Sequence, residues 1–251
     1  MRTGMVLALD LALAGLVLAA SALEAAPVPA IKLADHNPLF TFDYAYPAAA
    51  ARIPALKAWL DGERTKARSE LAANAREGKA EAKANGYDYH PYENSTNWQV
   101  VADIPAFLSL SAGVYDYSGG AHPNHGYTAL VWDKAAGQRV AASALFTAKA
   151  ALSAAIRGPF CDALDKERAR RRDAPVNRAS GDEFDKCIDP VESTLILGSS
   201  DKQHFDRIGV LVGPYEAGPY AEGDYEVTLK VTPKVLAAVK PAYRAAFAAG
   251  K

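Results

Sequence analysis

Phe40-Thr41-Phe42-Asp43-Tyr44-Ala45-Tyr46 places an aromatic ring at every second position. Side chains of an extended chain alternate between faces, so this segment predicts a strand with one aromatic face buried in a core. Pro47 ends it. Directly afterwards the period changes: Ile53, Leu56, Leu60, Ala67 and Leu71 recur at helical spacing with charged residues between them. One stripe of a long helix, about Ile53 to Ala84, therefore faces the same core. Pro54 suits its first turn and Asn85-Gly86 its end. A strand of this kind needs pairing partners and a helix of this kind needs a sheet, which already excludes an all-helical or disordered chain.

The remaining periodicities supply the partners. Trp98 to Asp103, Phe107 to Tyr117, Tyr127 to Asp133 and Arg139 to Ala142 read as successive strands, with Lys134-Ala135-Ala136-Gly137 as a hairpin turn. Leu152, Ile156, Phe160 and Leu164 stand at i+4 steps in a second helix over Thr147 to Arg172, which Gly158-Pro159 is expected to break or kink. Glu192 to Leu197, Ile208 to Val212 and Tyr225 to Val231 predict further strands. Thr232-Pro233 caps a closing helix that Pro241 interrupts. Short connections favour antiparallel pairing, so the fold class is α+β, a mostly antiparallel sheet with helices packed on it.

The first residues read as an address. Arg2 precedes an apolar stretch from Met5 to Ala20, and small residues follow, the order of a secretory leader. Residues 1–22 are expected to be removed, with cleavage after Ala22 or Ala25, and 23–36 to form an Ala/Pro-rich tether. Asp10 and the shortness of the run speak against a retained anchor. The expected compartment is periplasmic or extracellular, with no membrane span after leader removal. Lys and Arg total 28 against 29 Asp and Glu, a net charge of −1 that provides no field for a polyanion, so no nucleic-acid partner is expected. Cys161 and Cys187 would meet an oxidising compartment there, which predicts a disulfide between them.

Catalytic signatures are missing: no G-x-S-x-G, P-loop, H-E-x-x-H or C-x-x-C occurs, and neither cofactor nor metal is expected. His122 and His125 are three residues apart, so a metal-dependent hydrolase of envelope polymers, with Asp116 or His204 completing the shell, is the alternative reading. Lys166 to Arg172 is the densest basic run. Interspersed acids, and the acidic stretch from Asp182 to Glu192, predict a salt-bridge network there. Tyr residues concentrate in four stretches, and in Gly/Pro-rich loops a rigid ring with a polar hydroxyl suits recognition.

Two motifs carry a family resemblance. Tyr117-Ser118-Gly119-Gly120-Ala121-His122, followed by Trp132-Asp133, Gly137 and Leu145-Phe146, resembles the extracytoplasmic domain shared by the lysozyme-binding part of the anti-sigma factor RsiV and the amino-terminal part of the deacetylase PdaC. The run Gly213-Pro214-Tyr215-Glu216-Ala217-Gly218-Pro219-Tyr220-Ala221-Glu222-Gly223 resembles the same family's second signature. The resemblance implies a PdaC-like region over 37–104 and an RsiV-like region over 105–251, packed as one unit. It implies an envelope-facing recognition or accessory domain, with a protein or glycan as partner and a lysozyme-like protein among the candidates. Too few residues follow Val239 to form a deacetylase domain. The expected ligand-binding residues are Tyr117, Gly119, Gly120, His122, Tyr215 and Tyr220, and Tyr117, His122, Tyr215 and Tyr220 are expected around one concavity if the strands beside the two loops are neighbours in one sheet.

Overall fold

The computed structural model describes residues 28–251; the expected leader lies outside them. The aromatic alternation folds as anticipated: β2 (Phe40–Tyr46) buries Phe40, Phe42, Tyr44 and Tyr46. Its outer neighbour is β1 (Ile31–His36), paired antiparallel with Ile31 opposite Tyr46 and His36 opposite Thr41. This corrects the tether expected over 23–36 at residues 31–36, and residues 23–27 lie outside those described. Ile31 and Leu33 alternate with exposed Lys32 and Ala34, which is an edge-strand pattern too short and too weakly apolar to stand out in the sequence.

After the short α1 (Ala48–Ala51), α2 (Pro54–Asn85) runs 32 residues and ends at Gly86, whose left-handed backbone closes the helix. This helix is a crossover. It returns the chain to β3 (Tyr92–Asp103), which pairs parallel to β2. Thereafter β4 (Phe107–Tyr117), β5 (Asn124–Asp133) and β6 (Gln138–Val140) add in order and antiparallel, giving one six-stranded sheet β1-β2-β3-β4-β5-β6. The division drawn between 104 and 105 falls in the turn joining β3 to β4, so both sequence regions share this sheet.

The second half builds on the opposite face. α3 (Lys149–Arg172) continues through Gly158-Pro159 without a break. Pro159 forfeits one helical hydrogen bond, but buried Ile156, Phe160, Cys161 and Leu164 hold both sides of it in the core. β7 (Thr194–Gly198), β8 (Arg207–Val212) and β9 (Tyr225–Lys230) form a separate antiparallel three-stranded sheet. α4 (Pro233–Ala238) then opens on Thr232, whose hydroxyl accepts from the Val235 N–H.

Two apolar clusters result, one on each face of the large sheet. Leu56, Leu60, Leu71 and Ala75 of α2 pack on Phe42, Tyr44, Trp98, Leu110 and Trp132. Phe107 and Val131 on the other face meet Leu197, Ile208 and Val210 of the small sheet and Phe205 just before β8, together with Leu152, Ile156, Phe160 and Leu164 of α3. The layers therefore run α2, large sheet, small sheet, α3. Cys161 of α3 and Cys187 are joined by a disulfide across 26 residues, fixing the segment between α3 and β7.

Candidate binding site

Both signature motifs are loops that feed strands. Residues 118–123 lead into β5 and residues 213–224 lead into β9. Those two strands belong to different sheets, which corrects the expected single-sheet arrangement. The loops meet because the sheets stack, with β5 packed against β7 and β8.

Where they meet, three rings form a platform. The His122 imidazole stacks on Tyr220 with centroids 4.2 Å apart and planes 28° apart. Tyr215 lies 5.7 Å from Tyr220 and 6.4 Å from His122 by centroid. His122 Nδ1 sits 2.9 Å from the Pro123 carbonyl, which can only accept, so that nitrogen carries the proton. In the neutral ring Nε2 then accepts from the Tyr215 hydroxyl at 3.4 Å. Tyr220 is half-buried and its hydroxyl donates to the Pro123 carbonyl at 3.0 Å, so it is the floor of the platform and ties the two loops together. Tyr215 stands above, 55% exposed, with its backbone in the left-handed region at φ 66.

Asp224 fastens the loops beneath the platform. His125 Nε2 donates to one carboxylate oxygen at 2.8 Å and the Tyr127 hydroxyl to the other at 2.6 Å. Burial and the Asp224 carboxylate together push the Tyr127 phenol well above its usual range, so it remains a donor. His125 also presents its ring edge to Tyr220 at 5.7 Å.

The basic run of α3 holds the 213–224 loop from below. Arg168, Arg171 and Arg172 occupy i, i+3 and i+4 positions and so share one face of the helix. Arg168 is fully buried and donates from Nε to Ala217 O at 2.8 Å, and from Nη1 to Lys186 O and Asp165 at 3.1 and 3.2 Å. Arg171 donates to the carbonyls of Glu222 and Asp224, each at 2.6 Å, and lies 4.1 Å over the Tyr225 ring. Arg172 grips the Glu222 carboxylate through two nitrogens at 2.8 and 3.0 Å and reaches Asp185 at 2.8 Å. Burial raises the Glu222 carboxyl, but hydrogen bonds from Arg172 and Tyr225 outweigh it and hold the group below its ordinary value. Burial and Glu222 push the Tyr225 phenol up to about 12. The salt-bridge network expected of this run is thus present, and its arginines shape the loop.

The remaining expected residues lie elsewhere. Tyr117 ends β4 and faces a cavity of about 380 Å³ beside α2, shared with Tyr92 and Ser118. Gly119, at φ +83, lines an adjoining cavity of about 350 Å³. Gly120 is exposed with open space above its Cα. Of the alternative metal shell, His125 is occupied by Asp224, His204 bonds Asp201 at 2.9 Å, and Asp116 lies by Tyr117. Among the described residues no three His, Cys, Asp or Glu side chains gather to hold a metal ion.

Asp224 escapes the sequence reading altogether, and Arg168 reads there only as part of a surface salt-bridge run. Asp224 looks like part of a Gly-Asp turn, and nothing local announces its partners 97 and 99 residues away. Arg168 did leave a signal. The buried stripe 152, 156, 160, 164 steps next to 168.

The architecture defines a two-sheet α+β domain whose most elaborated surface is a pair of interlocked loops. Residues 33–125 match the family model described as deacetylase PdaC, a stretch that runs from β1 into β5 and includes the Ser118-Gly119-Gly120 motif. Among solved structures, a DUF3298 family member from Bacteroides fragilis NCTC 9343 superposes with a TM-score of 0.53 at 18% identity, covering 80% of this chain and 89% of that one. A DUF3298 family protein from Pseudomonas aeruginosa PAO1 gives 0.50 at 14% identity, with 86% and 95% covered. These likenesses show a shared fold and agree with the family resemblance carried by the two motifs. No curated protein matches the chain.

Proposed function

We propose that the protein is a non-catalytic recognition or accessory domain that works outside the cytoplasm and takes an envelope protein or glycan on the His122–Tyr215–Tyr220 platform. The observation that carries this reading is Tyr215. A bulky residue in the left-handed region costs free energy, and an exposed ring repays little of it through packing. Strain of this kind concentrates where a side chain must be presented. The surrounding construction supports the same reading, since an arginine ladder, a shared carboxylate and a stacked floor hold the ring on rigid elements. The disulfide is the form cysteines take in oxidising compartments, and no helix among the described residues is long and apolar enough to cross a membrane.

The test is retention of envelope material on the immobilised protein, comparing insoluble wall polymer with soluble envelope protein. Wild type should retain one of the two fractions, and Tyr215→Ala should lose at least tenfold in affinity for it with an unchanged melting curve. Equal retention by the variant would end the assignment of this platform.

A further inference from the structure

Beside the platform, on the other side of the loop that carries His122, the two cavities of about 350 and 380 Å³ adjoin along α2, with Tyr92 and Ser118 lining both. Together they fall within the size range of small-ligand sites. The groove is cut into the helix itself. Gly78 stands in the unbroken α2 where a Cβ would collide with the Tyr92 hydroxyl, so the ring lies against the helix backbone. Tyr87, Tyr92 and Tyr117 supply aromatic walls, and Tyr87 is 54% exposed. The polar lining sets carboxylates, Asp88, Glu93 and Asp116 among them, beside Asn74, His90 and Ser118, which can also donate, and the Asn94 side-chain oxygen is buried without a hydrogen-bond partner. Neither cavity is lined by Lys or Arg; Lys66 lies 3.9 Å from Glu70 and Lys79 5.9 Å from the Tyr89 ring centre.

We infer that the ligand is a linear glycan, lying across the loop 118–123 with one sugar on the His122–Tyr215–Tyr220 platform and its neighbours in the Tyr92–Tyr117 groove. This rests on the recognition reading and names its ligand class. A sugar ring has an apolar C–H face and a rim of hydroxyl donors. Aromatic walls with intervening carboxylates match that pattern in the groove, and the stacked rings of the platform offer the apolar face of a further sugar its counterpart. Ser118 and Gly119 line the groove and His122 stands on the platform, so the same short loop borders both. Burial and then Glu93 raise the Tyr115 phenol of β4, and Tyr220 and Tyr117 add smaller effects. A polyanion is opposed by the carboxylates in the groove. A basic peptide would find carboxylates there but none presented by the platform rings, so it would not account for both surfaces.

Isothermal titration of the full chain with cellotetraose and with chitotetraose tests this, with hexalysine as the cationic competitor. At least one tetrasaccharide should bind saturably, and its disaccharide at least tenfold more weakly. Tyr215→Ala and Tyr87→Ala should each weaken the tetrasaccharide at least fivefold. Asp116→Asn, an exposed change that spares the fold, should do likewise. Binding by neither sugar, binding unchanged in Tyr87→Ala and Asp116→Asn, or saturable binding of hexalysine alone would each overturn the glycan assignment. If sugars fail while Tyr215→Ala still loses its envelope ligand, the recognition reading stands and only the ligand class falls. If Tyr215→Ala loses nothing, both fall.

Discussion

Tyr215 and Arg168 show how single residues of this site carry opposite balances of strain and support. At φ 66 any side chain with a Cβ is crowded, whereas glycine is not. Tyr215→Gly is therefore expected to keep or raise stability, by up to about 1 kcal/mol, while abolishing ligand retention. Urea denaturation paired with the retention assay reads both, and a clear loss of stability would show that the ring packs rather than presents itself. Arg168 is the reverse case, a fully buried guanidinium whose loss strands the carbonyls of Ala217 and Lys186. Arg168→Ala should cost about 3 kcal/mol in the same measurement, and a loss under about 1 kcal/mol would deny its structural role. Glu222 adds a pH dependence. Its folded-state value lies below the ordinary 4.5, so its contribution is complete above that value and is lost as pH falls through the depressed one. Wild type should exceed Glu222→Gln in stability near neutrality, and the gap should close on acidification. A gap that stays constant down to about pH 3 would contradict the assignment.

At the level of elements, α2 contains a matched pair of glycines that separates propensity from contact. A methyl group added at Gly62 would meet nothing within 4 Å, so Gly62→Ala should stabilise by roughly 0.5–1 kcal/mol through helix propensity alone. Gly78→Ala gains the same propensity, but its methyl would collide with the Tyr92 hydroxyl and stand only 2.7 Å from the Cζ that bears it. It should therefore destabilise by about 1–3 kcal/mol. Tyr92→Ala in the Gly78→Ala background should recover the propensity gain; thermal melts of the three variants decide it. The same helix shows what was legible in the sequence. Its stripe, its Pro54 start and its Gly86 end were readable because each is a local rule of backbone geometry. β2, β4 and the loop-to-strand order were readable for the same reason. What stayed hidden was pairing at a distance: the parallel step from β2 to β3, the split into two sheets, and Asp224 reaching His125. Alternation fixes which face of a strand is buried and says nothing about which sheet it joins. Hence the loops were correctly paired through an incorrect sheet.

Across the whole molecule, the two sheets divide the labour. The large sheet with α2 has its own apolar cluster, while the small sheet depends on α3 and on residues 173–193, a stretch without helix or strand longer than one 3-10 turn. That segment has few apolar side chains with which to hold itself down, and three kinds of tether replace them. Cys187 is bonded to α3 through Cys161, Arg168 holds Lys186 O, and Arg172 holds Asp185. All three lie on α3, and two of the same arginines hold the 213–224 loop. The disulfide therefore supports the platform at one remove: it keeps the Lys186 carbonyl where Arg168 needs it, and Arg168 keeps Ala217. Replacing both cysteines by serine should lower stability by about 3–4 kcal/mol, the loop-closure value expected for the 26-residue separation. The loss should also be local. Hydrogen exchange should accelerate in residues 173–193 and 213–224, whereas β2, β3 and α2, built on the other cluster, should keep wild-type protection. Reductant applied to the wild type should reproduce the same pattern. Uniform acceleration through both sheets would show instead that the molecule opens as one cooperative unit, with the tethers of α3 stabilising all of it equally.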